Sequence, residues 1–225
     1  RQEDRWQYWL ARASEQRGDK GSKKAAEEIY KRLAMSGEDY HNLLAKDRIG
    51  QRYNASAPQE QPSVSDQTRL NQDIHFRRAF ALRNIDAPAV YTTREWNWAV
   101  RQAYLKHDDG LLLAAAKRAS DMGWYDRAIY AADRTEKKHN YTYRYATPHQ
   151  ATVVSHSRNV GIDPAWAYGL MRQESRFVSA ARSHVGAGGL MQIMPNTAKL
   201  VAKQMGETYN PAALTDTNTN IRYGT

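Results

Sequence analysis

The stretch that decides the fold runs from Asp163 to Pro195 and reads DPAWAYGLMRQESRFVSAARSHVGAGGLMQIMP. It begins with a helix start signal, because Asp163 can cap a helix N-terminus and Pro164 suits the first helical position. The spacing of apolar residues predicts a helix that ends at Phe177 or Val178. At about 100° per residue, one face of this helix collects Trp166, Ala167, Leu170, Phe177 and Val178.

Glu174 falls near the middle of that apolar face. A helix normally turns such a face to the core, where an unpaired carboxylate is costly. Burial disfavours the charged form of a carboxyl group, and a carboxyl that is neutral near pH 7 can donate a proton as a general acid. The helix alone therefore leaves two roles open for Glu174. One is a general acid, and the other, which the helix alone favours, is a structural carboxylate that pairs with an arginine or caps a neighbouring helix.

The segment after this helix is rich in glycine, which allows unusual backbone conformations and close approach of another chain or a ligand. A short apolar run follows, Leu190 to Met194, in which Gln192 is the single polar side chain. Pro195 then predicts the start of a second helix, which Gly206 ends. A phosphate-binding loop is disfavoured, because no Lys-Ser/Thr pair follows the glycines and no strand of a βαβ unit precedes them. The glycines are Gly186, Gly188 and Gly189.

Three blocks of this region carry a family resemblance. They are Gln173-Glu174-Ser175, then Gly186-Ala187-x-Gly189-Leu190-Met191-Gln192-Ile193-Met194-Pro195, then Asn220-Ile221-x-x-Gly224. In this order and at this approximate spacing, the blocks resemble the catalytic domain of the soluble lytic transglycosylases, bacterial enzymes that cleave peptidoglycan. The resemblance implies a lysozyme-like catalytic fold, and it places Glu174 at the position of the family's catalytic acid.

The resemblance also implies the chemistry of an exo-acting transglycosylase. Such enzymes cleave the β-1,4 bond between N-acetylmuramic acid and N-acetylglucosamine. One glutamate protonates the leaving oxygen and then, as a base, takes a proton from the muramoyl 6-hydroxyl, so that the product carries a 1,6-anhydro ring. By position, Gln192, Ser183 and Met194 match substrate contacts of the groove, and Ser175 adjoins the acid. For these four residues a structural role stays open.

Two other functions remain open from the sequence. One is hydrolysis by a muramidase similar to goose-type lysozyme, in which water replaces the 6-hydroxyl. The other is a helical scaffold that binds glycan without cutting it. Most glycosidases use two carboxylates, and the acids near Glu174 offer no clear second one. Asp163 is expected to cap a helix, while Glu207 and Asp216 lie in later, peripheral segments.

The composition excludes several classes of protein. The chain has 225 residues, no cysteine and a mean hydropathy of −0.83, so disulfides, thiolate nucleophiles and cysteine zinc sites are excluded. Its seven histidines show no metal-ligand spacing, and we expect no metal and no cofactor. The net charge of +9 is spread along the chain, whereas nucleic-acid binding usually has a clustered basic footprint. A broadly basic surface would suit the carboxylates of peptidoglycan.

The predicted location follows from the family. No apolar run reaches membrane-spanning length, and the chain carries no leader, so we expect a signal peptide to have been removed. The resemblance implies the periplasm of a Gram-negative bacterium, with outer-membrane association as an option. Glycan strands are the expected partner, and other cell-wall enzymes are further candidates. Because the family's domain continues beyond the equivalent of Thr225, we expect the chain to be truncated at its C-terminus.

The predicted architecture is all-α, a helical-hairpin superhelix followed by a mostly helical, lysozyme-like domain. Residues 1–57 have apolar spacing similar to tetratricopeptide-like helix pairs and form the end of the superhelix. The proline-containing stretch Ala55–Gln67 predicts a linker. The resemblance to the larger soluble members of the family implies that residues 58–145 form a helical linker domain and residues 146–225 the catalytic domain. The alternating tyrosines at its entrance predict an extended connector; they are Tyr141, Tyr143 and Tyr145.

Overall fold

The structure is a computed structural model that describes residues 2–37, 39–52 and 59–225. The described part of the chain is helical, and its β-structure is limited to isolated bridges that Gly188 makes with Arg182 and Ile193. The predicted all-α class is therefore confirmed.

The chain divides into two compact units, residues 1–57 and 58–225. Part of the predicted linker, residues 55–58, lies outside the described residues. The linker prediction is wrong for the last four residues of this stretch, because Val64–Gln67 forms the start of a helix. Ser63 accepts the N–H of Asp66 there, and Asp66 accepts the N–H of Ser63 in return, a capping box that fixes the helix start.

The first unit contains α1 (Gln2–Arg17), α2 (Lys20–Ser36) and α3 (Tyr40–Arg48). They agree with the helix pairs expected from the apolar spacing of residues 1–57. Trp6 and Trp9 lie at helical spacing and yet are exposed. The opposite side of α1 is the buried one. The core of the unit consists of Tyr8, Ala11, Ala26, Tyr30, Leu33 and Ala45.

The second unit begins with helices that surround Trp96. The ring of Trp96 is fully buried, and its centroid lies 5.4 Å from that of Phe76 and 5.0 Å from that of Trp124. Alanines of the neighbouring helices complete this cluster. The helices are α4 (Val64–Gln72), α5 (Ile74–Asn84), α6 (Ala89–Leu105), α7 (Asp109–Asp121), α8 (Tyr125–Ala132) and α9 (Tyr141–Arg144).

The extended connector predicted from the alternating tyrosines is wrong. Residues Tyr141–Arg144 form the short helix α9, because the Asn140 side chain accepts the N–H groups of Thr142 and Tyr143. Such a cap supplies partners for N–H groups that a helix start leaves free. Tyr143 is buried, while the rings of Tyr141 and Tyr145 stack with their centroids 5.9 Å apart.

The remaining helices surround a second hydrophobic cluster, centred on Met171, Leu190 and Ile221, all fully buried. Ile129 of α8 also belongs to this cluster, so α8 contributes to both cores of the unit. The separate domain boundary expected after Tyr145 stays a prediction. The elements are α10 (Gln150–Asn159), α11 (Pro164–Glu174), α12 (Pro195–Gln204), a 3-10 helix (Pro211–Leu214) and α13 (Thr217–Gly224).

Candidate active site

Helix α11 starts as predicted and ends earlier. Asp163 accepts the N–H of Ala165 at 2.8 Å and Pro164 occupies the first turn. The helix stops at Glu174, because Arg176 and Phe177 adopt left-handed backbone angles, φ +48° and +66°. The predicted end at Phe177 or Val178 is therefore wrong.

The hydroxyl of Ser175 fixes this early end. Its Oγ lies 2.8 Å from the carbonyl oxygen of Leu190 and 3.2 Å from that of Met171, and it accepts the N–H of Phe177. Leu190 belongs to the glycine-rich segment, fifteen residues further along the chain. Ser175 thus ties the end of α11 to the loop, and this contact accounts for its side chain without a substrate.

Glu174 does not lie in a buried apolar stripe, so that premise of its selection is wrong. The residue is exposed, as is Trp166 with 74 % of its surface free, and α11 buries only Ala167 and Met171. Helical spacing gives the angle of a residue about the axis, but it does not tell which side neighbouring helices cover.

The structural alternative for Glu174 is not supported either. Among the described residues, no hydrogen bond or ion pair engages its carboxylate. The nearby Arg172 instead binds both carboxylate oxygens of Asp133, at 2.9 and 3.1 Å, and the carbonyl oxygen of Arg144. A carboxylate in the last turn of a helix lies at the unfavourable end of the helix dipole. Its position is therefore not explained by helix stability, and the group is free to meet a ligand.

The glycine-rich loop, which Ser175 ties to the end of α11, is held by its own backbone. Gly188 and Ile193 exchange two N–H···O bonds of 3.0 Å, and Gly189 donates to Ala181 at 2.9 Å. Ser183 closes the turn before them: its Oγ accepts the N–H of Ala187 at 3.0 Å, and its N–H donates to the Ala187 carbonyl oxygen. The hydroxyl proton of Ser183 keeps the capacity to donate to a ligand.

Gln192 shapes the same loop. Its backbone is left-handed, φ +47°, and its side-chain amide donates to the carbonyl oxygens of Ala181 (3.1 Å) and Gly189 (2.9 Å). Both N–H bonds of the amide are used, so its carbonyl oxygen is the group left to accept a hydrogen bond. Met194 comes next, 40 % exposed, directly before Pro195 starts α12.

Asn220 holds the loop against the C-terminal elements, a role that the sequence did not suggest. Its buried side chain donates to the carbonyl oxygens of Gly188 (3.0 Å) and Leu214 (2.9 Å) and accepts the N–H of Met191 (2.9 Å). A Cβ added at Gly189 would lie 2.0 Å from the Leu214 carbonyl oxygen. The glycine and asparagine blocks therefore depend on each other through packing. Two of the three partners, Gly188 and Met191, lie 32 and 29 residues away in sequence, so no local signal identifies these contacts.

The other acids considered from the sequence have structural partners. Asp163 caps α11, and Asp216 accepts the N–H of Thr219, whose hydrogen bonds hold the pKa of Asp216 below its usual value. Glu207 binds Arg222 through two contacts of 2.5 and 2.8 Å, and this bonding lowers the pKa of Glu207. None of these three is free to act as a second catalytic carboxylate.

A cleft of about 400 Å³ opens beside the segment that follows α11. Its walls include Phe177–Ala180, the Trp124–Asp126 turn and the α5–α6 connection. Sequence patterns do not reveal this cleft, because its walls come from three distant segments. Among the described residues, no group of three potential ligand side chains could hold a metal ion, and no helix has the length and apolar character to cross a membrane.

The site can be compared with known proteins. Residues 152–225 match the family described as transglycosylase SLT domain. The soluble lytic murein transglycosylases of Salmonella typhimurium and Escherichia coli K12 are each 26 % identical to the chain over 227 aligned residues. These alignments cover the whole chain and 34 % of each relative, so the chain spans about a third of their length.

Solved structures extend the likeness to the fold. An inactive Glu-to-Gln mutant of lytic transglycosylase Slt from Pseudomonas aeruginosa has a TM-score of 0.79 and 32 % identity, over 98 % of this chain and 35 % of that one. The 70 kDa soluble lytic transglycosylase of Escherichia coli has a TM-score of 0.74 and 26 % identity, over 98 % of this chain and 34 % of its own. The lysozyme-like helical class is confirmed.

Proposed function

We propose that this chain, which belongs to the soluble lytic transglycosylase family, carries the catalytic glutamate of a peptidoglycan lytic transglycosylase. The observation that carries the proposal is the free carboxylate of Glu174, exposed at the end of a helix that Ser175 ties to the glycine-rich loop. The similar Pseudomonas aeruginosa enzyme is described as inactive when a glutamate is changed to glutamine. That description fits a mechanism that depends on one carboxyl group.

In the proposed mechanism Glu174 acts first as an acid. A glycan strand that lies over the carboxyl excludes water from the reacting groups. The carboxyl donates its proton to the oxygen that links N-acetylmuramic acid to N-acetylglucosamine, and the bond from this oxygen to the anomeric carbon breaks. The acetamido group of the muramoyl residue stabilises the positive charge that forms at the anomeric carbon.

Glu174 then acts as a base. It takes the proton of the muramoyl 6-hydroxyl, and the oxygen of that hydroxyl bonds to the anomeric carbon, which closes the 1,6-anhydro ring. The carboxyl group ends protonated, as it began, so no water and no cofactor enters the balance. One residue can fill both roles. This agrees with the finding that Asp163, Asp216 and Glu207 are each engaged by other groups of the protein.

The loop residues are assigned supporting roles. Gln192 has a free carbonyl oxygen that can accept a hydrogen bond from a sugar hydroxyl or acetamido N–H. The hydroxyl of Ser183 can donate to the strand, and the exposed side chain of Met194 offers an apolar contact. Ser175 is a positioning residue, since its hydroxyl is engaged with Leu190.

The wider context is part of the proposal. Peptidoglycan strands are the substrate, and the periplasm is the compartment in which they lie. Residues 1–57 and 58–145 are proposed as the superhelical and linker regions that precede the catalytic domain at 146–225. Exo action, outer-membrane association and binding of other cell-wall enzymes stay predictions.

The first test is the matched pair Glu174→Gln and Glu207→Gln, measured as the rate at which purified sacculi release soluble fragments. Loss of a general acid and base lowers a rate by about 10²–10⁴-fold, and we expect a loss of that order for Glu174→Gln with thermal stability retained. Glu207→Gln should keep the parent's rate at a temperature where it is folded. Parent-like release by Glu174→Gln would refute the proposal.

A further inference from the structure

Helix α6 (Ala89–Leu105) has an unusual solvent face. Its opposite face, which includes Trp96, is buried in the first hydrophobic cluster. The solvent face nevertheless carries Tyr91, Trp98 and Leu105, with 57, 50 and 58 % of their surfaces exposed. An amphipathic helix normally keeps polar residues on this side. Three large side chains that recur every seven residues on a solvent-exposed face therefore indicate a surface that binds a partner.

Two arginines lie between these residues on the same face. Arg94 and Arg101 are exposed, and neither makes a hydrogen bond or ion pair within the described part of the chain. The acid nearest to them on α6 is Glu95, which is already engaged with His75 at 2.8 Å and with Arg78 at 3.9 Å. Within the described part of the chain, the two guanidinium groups are thus positive charges that no carboxylate pairs with.

The five residues form a regular array, which we call the α6 stripe: Tyr91, Arg94, Trp98, Arg101 and Leu105. Seven residues correspond to about 10.5 Å along a helix at 1.5 Å per residue. The apolar side chains repeat at this interval, and so do the arginines. At about 100° per residue all five lie within a narrow arc of the helix surface. A rigid rod with such a repeat fits a ligand that itself repeats apolar faces and negative charges.

We propose that the α6 stripe binds a glycan strand of peptidoglycan outside the site of cleavage. The idea rests on the proposed function, which makes this polymer the substrate. Sugar rings offer C–H faces to aromatic side chains, and the lactyl or peptide carboxylates of the strand complement Arg94 and Arg101. The buried apolar residues of α6 belong to the first hydrophobic cluster. Glu174 ends α11, whose buried residues Ala167 and Met171 belong to the second cluster. The stripe would keep the enzyme on the insoluble polymer between cleavage events.

The test is co-sedimentation of the full-length protein with purified sacculi, in a Glu174→Gln background that prevents cleavage. Two stripe variants are compared, Arg94→Ala/Arg101→Ala and Trp98→Ala. The matched control is Arg158→Ala/Lys203→Ala, which removes two exposed and unpaired charges from other helices of the same unit. We expect each stripe variant to bind about tenfold more weakly, equivalent to about 1.4 kcal/mol, and the control to bind as the parent does.

Three results would overturn the inference. Unchanged binding by both stripe variants would show that the strand does not use this face. An equal loss in the control would mean that diffuse charge, not the stripe, attracts the polymer. Protection of Trp98 from solvent quenching before sacculi are added would mean that a protein surface covers the stripe. The proposed function is tested separately, because the parent with Glu174 intact either cleaves the same sacculi or does not.

Discussion

Among single residues, Asn220 shows how a buried amide can set the shape of a site. Its side chain satisfies one carbonyl group and one N–H group in the glycine-rich loop and one carbonyl group at Leu214. A buried backbone group that loses its partner costs about 1–3 kcal/mol. The amide therefore stabilises the loop that carries Gln192, although it need not touch a substrate.

We predict that Asn220→Ala destabilises the protein by on the order of 3 kcal/mol, because the carbonyl and N–H groups it now binds would be left without partners. Urea unfolding at neutral pH measures the change. The matched control is Asn218→Ala, the same substitution on the exposed side of α13, where Asn218 contacts His156. An equal effect of the two substitutions would contradict the role given to Asn220.

Glu174 illustrates what could and could not be predicted for a single residue. The motif singled out the residue, but the accompanying picture of an apolar stripe was wrong. Its carboxylate is free because Arg172 binds Asp133 instead and because the helix ends at Glu174. Both facts depend on residues that are distant in sequence.

The helices and the loop depend on different kinds of information. The starts of α11 and α12 and the stop at Gly206 follow from local caps, so the sequence predicts them. The end of α11 depends on the bond between Ser175 and Leu190 and on left-handed angles at Arg176 and Phe177. Long-range contacts of this kind leave no periodic signal.

The close approach of the loop to the 3-10 helix gives a matched pair of glycine variants. Gly189 and Gly206 both have left-handed backbones, φ +78° and +72°. A Cβ at Gly189 would meet Leu214 and Asn220, whereas a Cβ at Gly206 would meet open space. We expect Gly206→Ala to cost about 1 kcal/mol from backbone strain and Gly189→Ala about 2–4 kcal/mol in total.

Chemical denaturation of the two variants checks this expectation, and sacculus cleavage provides a second measure. Gly189→Ala should lose activity even where it remains folded, because the loop must move away from Leu214. Equal unfolding free energies for the two variants would show that the loop does not lie against the 3-10 helix as described.

The whole molecule should lose stability in acid. Burial raises the pKa of Asp108, but hydrogen bonds from Arg69 and from the Leu111 N–H reverse this and leave it lowered. The pKa of Glu207 is lowered by Arg222, and that of Asp216 by Thr219. A carboxyl with a lowered folded-state pKa adds stability above its unfolded pKa of about 4, and this stability is lost as the pH falls through the folded pKa.

We therefore expect the melting temperature to be nearly constant from neutral pH to about pH 5 and to fall below about pH 4. The Glu207→Gln variant should be less stable than the parent at neutral pH, and the difference should shrink in acid, where the parent's carboxyl is protonated. Differential scanning calorimetry across this range measures both. A difference that grows in acid would contradict the assigned pairing of Glu207 with Arg222.

At the scale of the whole chain, sequence predicted the helical class and the order of the helices, because apolar periodicity and caps repeat along the chain. It could not predict the two hydrophobic clusters of the second unit or the cleft beside Phe177, which bring distant segments together. The sequence also could not predict that aromatic residues such as Trp98 are exposed, because periodicity alone does not distinguish a covered helix face from an exposed one.

The most direct test of the central claim is mass spectrometry of the products released from sacculi by the full-length protein and by its Glu174→Gln variant. We predict muropeptides with 1,6-anhydro ends, lighter by one water than hydrolysis products, from the parent and none from the variant. Reducing ends from the parent would instead identify a muramidase that uses water. Binding without cleavage by either protein would identify a glycan-binding scaffold and contradict the catalytic role of Glu174.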